Sequence, residues 1–281
     1  MFEYYNHHSN KICNHQSKFQ HIRPKNALNF IYLNDKHIND TMKKMNKILF
    51  CILILLIILA GLSTLEKQGA FNGSNLDKYT TIIGNNSNGT VYKIICGNES
   101  SSDTAILILG VHSLEGGIHN ATNATIINFT KENELNKKYI VYFIKLNFKD
   151  SGMNISDYDT NRHMGELLAN EYVLPDIEKY DPYLVMDVHE MEDYWDLQRY
   201  VGVIDNKSSV TMEYANKIGE NLSYPVATIN SGTSPEWVTI PLSEKGHNVI
   251  LFETAQADSQ YNKTLTARDL VRTIDNLTVY P

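Results

Sequence analysis

Three cysteines are all that the 281 residues contain, and their placement lets no two pair after residue 65. Cys13 precedes a long apolar run, Cys51 lies inside it and Cys96 stands alone beyond it. A disulfide scaffold is therefore excluded, and the long C-terminal segment must be held by an ordinary core. Clustered positive charge is missing there too. Residues 1–47 carry eight Lys/Arg against three Asp/Glu and the remainder seventeen against twenty-nine, so +5 is followed by −12 within a net charge of −7. Binding nucleic acid needs clustered Lys/Arg to neutralise phosphates, so no nucleic-acid partner is expected. Internal repeats are absent, as are low-complexity linkers after about residue 78. With 42% hydrophobic and 20% charged residues the chain is too apolar for general disorder, and its length bounds it at one large domain or two small ones.

What is present begins with residues 48–65, ILFCILILLIILAGLSTL, eighteen positions without a charge. As a helix they would cover roughly 27 Å, close to the ~30 Å of a hydrocarbon core. The basic flank from Met42 to Lys47 predicts a cytoplasmic N-terminus and everything after residue 65 outside. A cleaved signal peptide has the same basic and apolar regions, but no small-x-small cleavage site follows Ala60-Gly61, which favours a retained anchor. The expected organisation is a cytoplasmic segment 1–47, a membrane helix or signal anchor 48–65 and an extracellular domain 66–281. Met42 or Met45 would serve as a start codon, making 1–41 an extension. Export has a second sign: twelve of the twenty-two asparagines after residue 65 sit in Asn-x-Ser/Thr, from Asn72 to Asn276. That density predicts a glycoprotein.

Two β-rich runs, 79–84 and 90–96, flank an Asn/Ser/Gly turn and read as a hairpin. Continuous apolar runs at 105–111, 139–146, 183–188, 200–204 and 248–252 read as strands buried on both faces. Helical spacing lies between them at 162–179, 208–222 and 264–277. The alternation predicts a three-layer α/β domain with a mainly parallel sheet, whose chemistry sits beyond the carboxyl ends of the strands.

That rule directs attention to the residues just past each strand. After AILILGV come His112 and Glu115; after YLVMDV comes His189; NVILF runs into Glu253; Asn161 and Arg162 open the long helix. Two histidines and one carboxylate are the ligand set of an open catalytic zinc, with a position left for water. Glu253 is then the candidate general base, and Arg162 beside Asn161 offers a planar two-pronged donor for a substrate carboxylate. Asp187, Glu190, Glu192 and Asp193 around His189 also fit a solvated acidic loop. His119, His163 and His247 fall outside the pattern, His119 between sequons in an apparent decorated loop.

At these residues the sequence resembles the zinc carboxypeptidase superfamily, nearest its succinylglutamate desuccinylase/aspartoacylase branch. The resemblance rests on GVHSLEGG (110–117), TNR (160–162), DVH (187–189) and FE (252–253), in that order, and covers about residues 78–281. It implies an eight-stranded mixed sheet with helices on both faces and one zinc bound by His112, Glu115 and His189. It further implies Glu253 as base and later acid, and Asn161 and Arg162 as the carboxylate clamp. Two features depart from the family. The arginine expected shortly before Asn-Arg is missing, leaving Lys145 and Lys149 as candidates, and 28 residues follow Glu253, so the aspartoacylase C-terminal domain is not expected.

The expected activity is amide hydrolysis at or near a free carboxylate, on peptide C-termini or N-acyl amino acids. The alternative is a non-catalytic surface protein of the same fold that binds cell-wall peptide or glycan. Trp237, Tyr194, Tyr200 and Tyr224 are candidates to line the pocket.

Overall fold

Residues 79–147, 158–204 and 208–280 are described by the structure, a computed structural model. The expected anchor at 48–65 and the basic segment before it lie outside these residues, as do Lys149, Asn154 and Asn206. Among the described residues no helix is long and apolar enough to cross a membrane.

The hairpin forms as β1 (Thr80–Asn85) and β2 (Gly89–Gly97). Asn86 closes its turn, Oδ1 accepting the backbone N–H groups of Asn88 and Gly89 at 2.8 and 3.3 Å, the local bonding that makes Asn a turn former. Strand β3 (Thr104–Leu109) is buried at every position, as its unbroken apolar run demands. It ends at Gly110, whose φ is 85° and where a Cβ would lie 2.2 Å from the carbonyl oxygen of Ile144. Only glycine turns the chain there. Helix α1 (Gly116–Lys131) and strand β4 (Lys138–Leu146) come next. Helix α2 (Tyr158–Leu168) passes through a π-helical stretch (Ala169–Val173) into the short α3 (Leu174–Ile177). Then come β5 (Leu184–Met191), β6 (Tyr200–Ile204), α4 (Ser209–Leu222) and β7 (Val226–Ile229). A second π-helical stretch (Pro235–Thr239) leads into α5 (Ile240–Glu244), and β8 (Val249–Ala255) and α6 (Gln260–Asp275) complete the domain.

The eight strands make one mixed sheet in the order β1-β2-β4-β3-β5-β8-β6-β7, with β4, β3, β5 and β8 parallel at its centre. One face packs Ile118, Ile126 and Phe129 of α1, Tyr214 and Ile218 of α4 and Leu270 and Ile274 of α6. The other packs Leu168, Val173 and Ile177 of the α2–α3 segment and Val238 and Leu242 of the second π-helical stretch and α5. This is the expected three-layer architecture. The order also fixes where a cleft opens. From β3 the chain crosses to β4 on one side and then to β5 on the other, so the crossovers diverge beyond the carboxyl ends of β3 and β5.

Three expectations need correction. Residues 116–131 are a helix rather than a decorated loop: Gly, Asn and Thr are poor helix formers, but Ile118, Ala121, Thr122, Thr125, Ile126 and Phe129 recur at helical spacing and are buried. Asn123 is only 4% exposed there, so its sequon is not open to a glycan in the folded domain, whereas Asn98 and Asn128 are exposed. Lys145 is exposed, while its neighbours Ile144 and Leu146 face the core on the α2 side of the sheet. Strand alternation therefore turns Lys145 to the face opposite α2.

Candidate metal centre

Glu115 stands at the N-cap of α1, where the helix dipole favours an anion, yet its carboxylate makes no cap bond. It is turned instead to the cleft. Oε1 lies 2.9 Å from His112 Nδ1, Oε2 lies 2.8 Å from His189 Nδ1, and Oε2 also accepts the backbone N–H of Glu190 at 3.0 Å. Strand β5 runs past the end of its pairing with β3, which leaves that N–H and the Val188 carbonyl without ladder partners. Glu115 takes the first, and His119 reaches the second, its Nε2 2.7 Å from the Val188 oxygen. His119 is thus a buried part of the cleft wall rather than a loop residue, and burial pushes its pKa down to about 4.

Each candidate ligand histidine is held from behind. His112 Nε2 lies 3.0 Å from Glu166 Oε1, and His189 Nε2 lies 3.0 Å from Ser234 Oγ, whose hydroxyl donates to Asp187 Oδ2 at 2.6 Å. Asp187 Oδ1 is 2.9 Å from the same His189 nitrogen, within ion-pair range but without an aligned hydrogen bond. When the Nε2 atoms carry the protons, both Nδ1 lone pairs face inward with Glu115. One ligand atom from each of His112, Glu115 and His189 lies within 4.8 Å of the others, and all three residues are buried. The rings themselves are 4.5 Å apart.

The electrostatics of this cluster are those of a cation site. Glu115, Glu166, Asp187 and Glu253 are all buried, and among the described residues Arg162 brings its guanidinium within ion-pair range of Glu115. Burial opposes ionisation of Glu115, but His112 and His189 outweigh it and hold the carboxyl well below the usual range. Burial likewise opposes a charged His189, and Asp187 and Glu115 overcome it, raising its pKa well above the ordinary value. Glu253 behaves in the opposite way. Burial, with the charges of Glu115 and Asp187 added, pushes its pKa well above the carboxylate range. It stands in register with His189 on the neighbouring strand, and its Oε2 has no hydrogen-bond partner among the described residues. Two inward nitrogens, a carboxylate and an excess of buried negative charge fit a divalent metal; the donor set is one that zinc accepts.

Arg162, in the second turn of α2, donates from Nη1 to Glu115 Oε1 at 2.8 Å, with Glu192 Oε1 3.5 Å away, and its side chain is 23% exposed. Asn161 beside it is buried. Five of the six residues expected from the sequence, His112, Glu115, His189, Arg162 and Glu253, are therefore brought together at one end of the sheet, with Asn161 buried next in sequence to Arg162. Of the possible acidic loop, Asp187 and Glu190 are buried parts of β5, Glu190 pairing with Lys263 at 2.9 Å. Glu166 and Ser234 went unread in the sequence, although Glu166 follows Arg162 by four residues and so shares its helix face. Of the pocket candidates, Tyr194 is exposed, Tyr200 is buried opposite Glu253, and Tyr224 stacks on Phe252 on the other face of the sheet. Trp237 packs against the ring of His163.

No family model matches the sequence, and neither does any curated protein. Solved structures similar to this chain include ones described as a metallo-carboxypeptidase and as putative metallopeptidases. A metallo-carboxypeptidase from Burkholderia cenocepacia aligns with a TM-score of 0.48 at 8% identity, over 72% of this chain and 65% of its own. The product-bound cell shape determinant protein Csd4 of Helicobacter pylori aligns with a TM-score of 0.46 at 11% identity, over 66% and 54%. Its tripeptide-bound form aligns over 66% and 55% with the same score and identity. The chain thus spans about two thirds of the first protein and just over half of the second.

Proposed function

We propose that this protein is a zinc-dependent hydrolase that cleaves an amide bond at or near a free carboxylate, as a carboxypeptidase or as an N-acyl amino acid deacylase. In this reading His112, Glu115 and His189 hold one zinc, Glu253 is the general base, and Asn161 and Arg162 receive the substrate carboxylate. The observation that carries it is the juxtaposition of three buried ligand groups within 4.8 Å with a buried, unpartnered carboxylate oxygen on the adjoining strand. Bound there, zinc would supply Lewis acidity toward the scissile carbonyl and bring water within reach of deprotonation near neutral pH.

Glu253 would take a proton from the attacking water and return it to the leaving amine. To accept that proton Glu253 must be ionised; burial favours its protonated form in the metal-free site, and a bound cation beside it would favour the carboxylate. Arg162 contributes orientation: a bidentate pair with a free carboxylate fixes the carbonyl relative to the ligand cluster. Short peptides test the clamp. Amidating the C-terminus should abolish cleavage, and Arg162→Ala should do the same to the free acid; equal cleavage of both peptide forms would refute the assignment of Arg162.

The same reading places the domain outside the membrane behind an anchor at 48–65, supported by the basic flank and by sequons at exposed Asn98, Asn128, Asn221 and Asn262. Protease treatment of intact cells should remove residues 66–281, and their protection would overturn it. One observation favours the alternative of a non-catalytic binding protein for wall peptide or glycan. Lys145, a candidate for the missing second arginine, is exposed on the sheet face opposite α2, which carries Arg162. Turnover separates the two, because a binding protein has none to lose.

A further inference from the structure

We propose that Glu166 is a positioning residue for the metal site, holding His112 in the tautomer and ring orientation that present Nδ1 to the ion; this rests on the metal-site reading above. Glu166 is 1% exposed within α2, one helical turn after Arg162. A carboxylate so deeply buried loses its hydration and is kept only where partners replace it. Among the described residues its partners include two histidines. Oε1 lies 3.0 Å from His112 Nε2, and Oε2 lies 3.5 Å from His163 Nδ1 at the more exposed side of the helix.

The neighbouring residue explains how the helix comes close enough. At Gly165 a Cβ would lie 1.7 Å from the carbonyl oxygen of Val111 and 2.8 Å from its carbon. Any side chain at 165 would drive α2 away from the residue immediately before His112. The two adjacent positions therefore act together: Gly165 seats the helix backbone on the β3–α1 turn, and Glu166 reaches the ligand ring from that seat.

The two histidines differ in what else restrains them. His189 lies within β5, its backbone carried by the ladder to β8, and Ser234 and Asp187 both reach its outer nitrogen. His112 lies in a turn beyond the end of β3, and Glu166 is what meets its Nε2. An imidazole with a fixed Nε2–H acceptor keeps its Nδ1 lone pair inward; without the acceptor both tautomers and a rotated ring become accessible. Loss of such a partner costs about 10–100-fold in metal affinity.

The test is zinc affinity of the full chain, measured by competition with a chromophoric chelator, for the wild type, Glu166→Gln, Glu166→Asp and, as an exposed control of equal charge change, Glu171→Gln. Glu166→Gln should bind zinc about 10–100-fold more weakly while Glu171→Gln matches the wild type. Glu166→Asp keeps the charge but withdraws it by one methylene, so it too should bind more weakly, and it serves if the glutamine variant does not fold. A purely structural glutamate would shift the melting temperature of the metal-free protein and leave zinc affinity of the folded protein unchanged. Wild-type affinity in folded Glu166 variants would overturn the proposal while leaving the metal site intact; a wild type that binds no zinc would overturn both.

Discussion

The two ends of the central strands each bury a polar cluster, and the clusters are built on opposite plans. At the amino end, Asp275 closes α6 and accepts the backbone N–H groups of Asn136 and Lys137, the amide of Asn136 at 2.9 Å and the hydroxyl of Tyr139 at 3.3 Å. Lys137 donates to the carbonyl oxygens of Ile274 and Leu277, and Tyr183 donates to Ile274 at 2.9 Å. Every charge there ends on a partner from the protein itself. At the carboxyl end, Glu115, Glu166, Asp187 and Glu253 are buried while Arg162 pairs with Glu115, and among the described residues Glu253 retains an oxygen without a hydrogen-bond partner. The first arrangement completes the fold. The second leaves acceptor capacity over, which is the signature of a site that receives something from outside.

Four substitutions break or sharpen that contrast, beginning with the largest effect. His189→Ala should abolish metal binding and turnover together while circular dichroism shows an intact fold, because the apolar core on both sheet faces is untouched. Asp275→Ala should do the converse. It strands the buried N–H donor of Lys137 and the part-buried one of Asn136 and should cost about 3 kcal/mol of stability in denaturant titration, with zinc affinity of the folded protein unchanged.

Glu253→Gln should keep zinc but lower kcat by about a hundredfold or more, equivalent to about 2.7 kcal/mol in the barrier. It should also stabilise the metal-free protein at neutral pH. The folded pKa of Glu253 is raised above its unfolded value, so stability present below about pH 4.5 falls as pH rises and the unfolded chain ionises first. Melting temperature against pH, compared between wild type and Glu253→Gln, reads this directly; parallel curves would contradict it. Last, Lys245→Ala removes a pair with Glu178 at 3.2 Å in which both side chains are more than 40% exposed. Its effect on the melting temperature should be the smallest, within about 1 kcal/mol of nothing.

The contrast also explains how much could be read in advance. Buried parallel strands announce themselves as apolar runs, so β3, β4, β5 and β8 were legible, and with them the ligand and base positions at or just beyond the ends of those strands. The amino-end cluster left no such mark, since Asp275, Lys137 and Asn136 look like surface residues until α6 is docked. Helix α1 was obscured by its Asn, Thr and Gly content, although burial of one face outweighs weak propensity. Strand β7 has four residues, too few for a period to show. Glu166 and Ser234 act through other side chains, and their roles emerge only when α2 and the second π-helical stretch are brought against the sheet.

The most direct measurement of the central claim is the zinc content of the purified protein after zinc is supplied and excess removed, made in parallel on the wild type and His189→Ala. One zinc per wild-type chain and none in folded His189→Ala is the predicted result. A clean, folded wild-type protein that retains no metal would contradict it.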